Sequence, residues 1–137
     1  MRAGVDANVI LRFLTGDPPD LAAQARTLFD AVDEGSVTLV LDDIVVAEVV
    51  WVLHSFYRYP PRQIADVLQE LLSHEGLENG NKPALLAALS LFAEKNVGFT
   101  DALVAVRMAQ QGIGEIFSFD RHFDRLPGVS RRLPGDD

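Results

Sequence analysis

No cysteine occurs in the 137 residues, which excludes a disulfide scaffold, a cysteine zinc site and thiol catalysis together. Long apolar runs are missing as well. The longest, Ala84 to Leu89, has six residues, against about 20 for a membrane-spanning helix, so no membrane partner is expected. The first apolar stretch holds Asp6 and Arg12 and does not read as a signal peptide. Together with the missing thiols this predicts a reducing, cytoplasmic setting. Basic residues are the minority sign, 12 Lys and Arg against 20 Asp and Glu, for a net charge of −8. Such a chain is a poor general nucleic-acid coat, because phosphate neutralisation supplies most non-specific affinity. Lysine is scarce too. Only Lys82 and Lys95 occur, and the other basic residues are arginines, which fork phosphate and carboxylate where lysine acts as a point charge.

What is present is an ordinary globular composition, 48% hydrophobic and 23% charged, in a length that suits one domain over residues 1–137. No internal repeat or low-complexity segment interrupts it. Ala3-Gly4-Val5-Asp6 reads as a short strand, followed by a helical turn from Asn8. Pro18-Pro19 opens a helix with Leu21, Ala25, Leu28 and Val32 on its apolar stripe, stopped at Gly35. Val37 to Leu41 is a β-branched, buried strand, and Asp42 or Asp43 caps a helix from Ile44 to about His54. After Tyr59-Pro60-Pro61 a further helix carries Ile64, Val67, Leu68 and Leu71, with a two- or three-residue strand around Leu77. Pro83 to Lys95 is helical, Thr100 caps a last long helix from Asp101 to Gln111, and Gly112 stops it. Ile113 to Phe119 is the final strand and leads into Asp120. This alternation predicts an α/β protein with a mostly parallel sheet and helices on both faces.

Among twenty acids, position separates four from the rest. Asp6 and Asp120 stand at the carboxyl ends of the first and last predicted strands, where ligands of open parallel sheets bind, although a strand-end turn or helix cap is the plainer reading of each. Glu48 lies in Ile44-Val45-Val46-Ala47-Glu48-Val49-Val50-Trp51-Val52-Leu53. A helix apolar all round is buried, so Glu48 is expected to be a buried carboxylate that needs a cation or a structural arginine partner. Asp101 opens the apolar run Ala102 to Val106, where a helix start favours an acid in any case. Four acids gathered in one cleft require counter-charge. Hard divalent cations such as Mg²⁺ or Mn²⁺ supply it, and metal-assisted phosphodiester hydrolysis is the chemistry that follows.

At this point the motifs resemble those of a known family. Gly4-Val5-Asp6-Ala7-Asn8-Val9-Ile10-Leu11 and Ala47-Glu48-Val49-Val50-Trp51-Val52-Leu53 are similar to the first two motifs of PIN-domain nucleases. Phe99-Thr100-Asp101-Ala102-Leu103 and Phe117-Ser118-Phe119-Asp120-Arg121-His122-Phe123 are similar to the third and fourth. The similarity covers essentially the whole chain, and its short single-domain form most resembles VapC-type toxins of toxin–antitoxin pairs. It implies a three-layer PIN-like fold and a single nuclease domain over 1–137. It further implies a Mg²⁺- or Mn²⁺-dependent endoribonuclease, held off by a cognate antitoxin and commonly dimeric. Position by position, Asp6, Glu48, Asp101 and Asp120 match the acidic quartet. Asn8 and Ser118 match polar positions that hold metal-bound water or the acids, and Thr100 adjoins the third acid. Ala7 departs from the Ser or Thr common there, which removes one supporting hydroxyl.

The late basic group Arg121, His122, Arg125, Arg131 and Arg132 reads either as solvated surface or as a phosphate contact. Arg121, directly after Asp120, is the foremost candidate for RNA phosphate, with Arg12 and Arg125 behind it. An ion pair that orients Asp120 is the other reading of Arg121. The acidic cleft also suits an antitoxin segment carrying Arg or Lys. Phe56-Tyr57-Arg58-Tyr59-Pro60 is either an anchor for that segment or a second copy of the chain, or a packed loop. Two other functions compete: a non-catalytic RNA- or protein-binding member, which would have lost one or more of the acids, and an aspartyl-phosphate phosphotransfer enzyme. The second needs Asp-x-Asp after the first strand, where this chain has Asn8.

Overall fold

The computed structural model describes residues 1–136, which group into two compact units, Met1–Lys82 and Pro83–Asp137. In the first unit, strands β1 (Arg2–Gly4), β2 (Thr38–Val40) and β3 (Leu77–Glu78) form a parallel sheet in the order β1-β2-β3. Ala3 lies opposite Leu39 and Leu39 opposite Leu77. Helices α1 (Ala7–Thr15), α2 (Pro19–Asp33), α3 (Asp43–Ser55) and α4 (Pro61–Leu72) make the connections, as parallel strands require.

Local chemistry fixes where these helices start and stop. Asp6 caps α1, and Gly16 ends it at φ 71°, its N–H donating to the Arg12 carbonyl. Prolines at the first helical position open α2 and α4. Asp42 caps α3 through a 2.9 Å bond from the Ile44 N–H. The apolar stripe of α2 differs from the expected one: Ala22, Ala25, Phe29 and Val32 are buried and Leu21 is exposed. The reason is a neighbour that the sequence does not display. α1 packs directly on α2, Phe13 stacks on Phe29 at 4.0 Å, and the two small alanines admit the approach. Leu39, Leu41, Leu53, Ile64 and Leu77 are the fully buried centre, each contributing about 1.5–3 kcal/mol by leaving water. Beyond β3, the Asn79 amide donates to the Leu41 carbonyl at 2.8 Å and to Asp43 at 2.7 Å. That tie holds the carboxyl end of β2 to the start of α3.

The second unit contains α5 (Lys82–Lys95, beginning at the boundary), α6 (Phe99–Gln110) and the parallel pair β4 (Glu115–Phe117) and β5 (Ser130–Arg132). A 3-10 helix, Arg121–Arg125, lies between the two strands. Two expectations are corrected here. α6 starts at Phe99 behind an extended Gly98, so Thr100 is inside the helix and not its cap; burial of Phe99 pulls the start forward. β4 ends at Phe117 and β5 follows, so Asp120 lies three residues past a strand that is not the last. The mixed α/β class with parallel strands stands as expected. No helix among the described residues is long and apolar enough to cross a membrane.

Candidate functional site

In the first unit Asp6 and Asn8 lie at the start of α1 and Glu48 lies on α3. Asp6 follows β1 by two residues and its Oδ1 accepts the Val9 N–H at 3.0 Å, so the helix terminus holds the carboxylate at the carboxyl end of the sheet. Asn8, in the first turn, and Arg12, four residues later, line a pocket of ≈ 260 Å³ between α1 and α2, with Leu21 and Leu28 among its walls. The Arg12 Nε is buried there with no hydrogen-bond partner among the described residues. α3 packs against α1 and carries Glu48. Contrary to expectation, Glu48 is exposed. Val46, Val49, Val50 and Leu53 form the buried face of α3, while Ile44 and Trp51 are 78% and 69% exposed. Four residues of the helix meet the core, while Ile44 and Trp51, about one turn to either side of Glu48, face outward with it.

The second unit brings Asp101 and Asp120 within electrostatic reach. Asp101, half-buried in the first turn of α6, has its carboxyl raised above the ordinary 3.8 by burial and then by the charge of Asp120, with His122 opposing. Asp120 caps the 3-10 helix, its Oδ1 accepting the His122 N–H at 2.8 Å, and the His122 ring lies 3.4 Å from the same oxygen. Ser118 Oγ accepts the Asp120 N–H at 2.9 Å. This closes a small turn around the acid.

The late arginines divide. Arg125 donates to the Asn96 carbonyl at 2.6 Å, Arg131 forks Asp124, and Arg132 pairs with Glu115 over the Phe117 ring. Arg121 is exposed. The pairing of Arg131 has no signal in the sequence, because Ser130-Arg131-Arg132 shows no hydrophobic alternation to announce β5. In the aromatic stretch after α3, Tyr57 bonds Asp17 at 3.4 Å and packs edge-on against Phe56 and Tyr59. Phe56 itself is exposed.

Among the described residues no three Asp, Glu or His side chains are gathered closely enough to hold a metal ion. The chemistry of the donors nevertheless fits a hard cation. They are carboxylates and neutral oxygens with no thiol, and Asp101 and Asp120 repel each other in a way that a divalent cation relieves.

Comparison with known proteins agrees with the family resemblance of the sequence. The chain is 27% identical over 122 residues to a VapC ribonuclease of Aquifex aeolicus (strain VF5), covering 89% of this chain and 90% of that protein. The PIN domain family model matches residues 4–129, a span that holds all four acids, and the chain belongs to the PIN domain family.

Proposed function

We propose that the protein is a Mg²⁺- or Mn²⁺-dependent endoribonuclease, the toxin of a toxin–antitoxin pair, working as one domain over residues 1–137 in the cytoplasm. The observation that carries this reading is the PIN domain match across residues 4–129 with Asp6, Glu48, Asp101 and Asp120 all present. The similarity to a VapC ribonuclease supports the toxin assignment. In this reading the four acids hold the metal, and Asn8, Ser118 and Thr100 support them. A bound divalent cation supplies a polarised water and charge neutralisation at the leaving oxygen.

The remaining work falls to the chain's own side chains. The turn closed by Ser118 holds the Asp120 carboxylate in one orientation, and the α1 cap does the same for Asp6. Arg121 is assigned to the RNA phosphates because it is exposed directly after Asp120, with Arg12 second, while Arg125, a phosphate candidate in the sequence, is already engaged with the Asn96 carbonyl and is assigned to the fold. The partners are RNA, a second copy of the chain, and a cognate antitoxin whose Arg or Lys enters the acidic site. The test is cleavage of a labelled RNA mixture with Mn²⁺ or Mg²⁺ against chelator, beside Asp6→Asn and Asp101→Asn. Metal-dependent cleavage lost in both variants supports the reading. Cleavage by chelated protein, or by either variant at the wild-type rate, refutes it.

A further inference from the structure

We propose that Arg131 is a positioning residue for Asp120, acting as a clamp on both sides of the turn that carries it. The inference rests on the reading of Asp120 as a site carboxylate. Arg131 sits in the middle of β5, opposite Ile116 of β4, and its side chain is only 15% exposed. Its guanidinium makes three contacts that span the loop. Nη1 donates to the Ser118 carbonyl at 3.1 Å. Nε and Nη2 fork the Asp124 carboxylate at 3.1 and 3.4 Å.

Those two anchors bracket Asp120. Ser118 stands two residues before it and receives its N–H on Oγ. Asp124 stands in the 3-10 helix that Asp120 itself caps. A single planar group therefore fixes the turn that enters the acid and the helix that leaves it. The backbone adds one stitch at the entry, Ser118 N–H to the Arg132 carbonyl at 3.0 Å, while at the exit the fork to Asp124 acts beside the His122 N–H to Asp120 cap and the Phe123 N–H to the Asp120 carbonyl. Bidentate geometry and partial burial separate this pair from an ordinary surface ion pair. Lysine cannot reproduce it, because a point charge reaches one anchor at a time. Partners that orient metal-binding carboxylates typically cost 10–100-fold in metal affinity or activity when removed.

The experiment uses the full chain with two readouts, steady-state cleavage of a labelled single-stranded RNA and the Mn²⁺ concentration that half-maximally raises the melting temperature. Variants are Arg131→Lys, the exposed-side Asp124→Ala in case the first does not fold, their combination, and Asp120→Asn. The expected result is a kcat loss of about 10–100-fold in either clamp variant, with KM for RNA within about twofold. The Mn²⁺ midpoint should move upward, and the double variant should be no worse than Arg131→Lys. A wild-type kcat and Mn²⁺ midpoint in folded clamp variants, with Asp120→Asn inactive, overturns the clamp alone. A raised KM at unchanged kcat also overturns it, by placing Arg131 on the RNA. Wild-type cleavage by Asp120→Asn overturns the underlying site assignment instead.

Discussion

Asp6 commits one carboxylate oxygen to its own helix: Oδ1 lies 3.0 Å from the Val9 N–H, so the proposed metal-binding acid is also the cap of α1. The two roles separate under substitution. Asparagine caps as well as aspartate, whereas alanine loses about 1 kcal/mol at such a position. Asp6→Asn should therefore unfold at nearly the wild-type denaturant midpoint and yet be inactive on RNA, while Asp6→Ala should be inactive and less stable by about that amount. A fully active Asp6→Asn would leave Asp6 with the cap alone.

The metal-free protein should carry a pH signature at Asp101. Its folded carboxyl is raised by burial and by Asp120, so near that range the folded state holds more protons than the unfolded state. The contribution to stability is complete below the unfolded value and is lost as pH rises through the raised one. Urea midpoints in chelator across an acidic pH series, taken as wild type minus Asp101→Asn, should therefore fall with rising pH. A difference that grows in the wild type's favour would contradict the assigned direction. Millimolar Mn²⁺ should raise the wild-type melting temperature at neutral pH by binding only the native state.

Glu48 shows what periodicity could and could not deliver. The apolar run around it identified α3 correctly, and its capping acid and length followed. Burial did not follow, because apolar residues on all sides of a helix imply a buried helix only if every side has a neighbour. Here Ile44 and Trp51 are left outside with Glu48. The same kind of omission explains α2, where α1 selected Ala22 and Phe29 over Leu21 and Leu28. It also explains β5, a three-residue strand of Ser130-Arg131-Arg132 with no hydrophobic alternation to announce it. The mixed α/β class and its parallel strands were legible from turns, caps and the alternation of elements. Side-chain pairing such as Arg131 with Asp124 was not, since it depends on which strands become neighbours.

Because Glu48 is exposed, Glu48→Gln should change folding stability by no more than about 0.5 kcal/mol. Its effect belongs in catalysis, as a loss of metal-dependent cleavage of the labelled RNA. A large stabilisation of the chelated variant would point back to a buried, repulsive carboxylate.

Gly76 tests the packing of the first unit away from the acids. A Cβ there would lie 2.6 Å from Val32 Cγ1 and 3.1 Å from the Val32 carbonyl oxygen. A valine rotamer can yield to the first contact, but the carbonyl belongs to α2 and moves only with the helix. Gly76→Ala should therefore cost about 1–3 kcal/mol, the usual scale of overpacking, read as a lower urea midpoint. Unchanged stability would show that α2 shifts freely at its carboxyl end.

Arg121 and Arg125, four positions apart in one short helix, should part company on RNA. Arg125 already donates to the Asn96 carbonyl at 2.6 Å, where Asn96 holds a left-handed turn at φ 52°. Its loss should loosen the end of α5 and lower the melting temperature more than it alters RNA affinity. Arg121 is exposed beside Asp120 and should meet phosphate. Arg121→Ala should raise KM more than it lowers kcat. The slope of log affinity against log salt should also shrink by about 0.7, the share of one phosphate contact on a single strand. Equal falls in kcat and kcat/KM, with KM and salt slope unchanged, would instead place Arg121 at the transition state or on the Asp120 carboxylate. The two slopes, measured side by side on an inactive Asp120→Asn background, separate a phosphate contact from a structural arginine without relying on turnover.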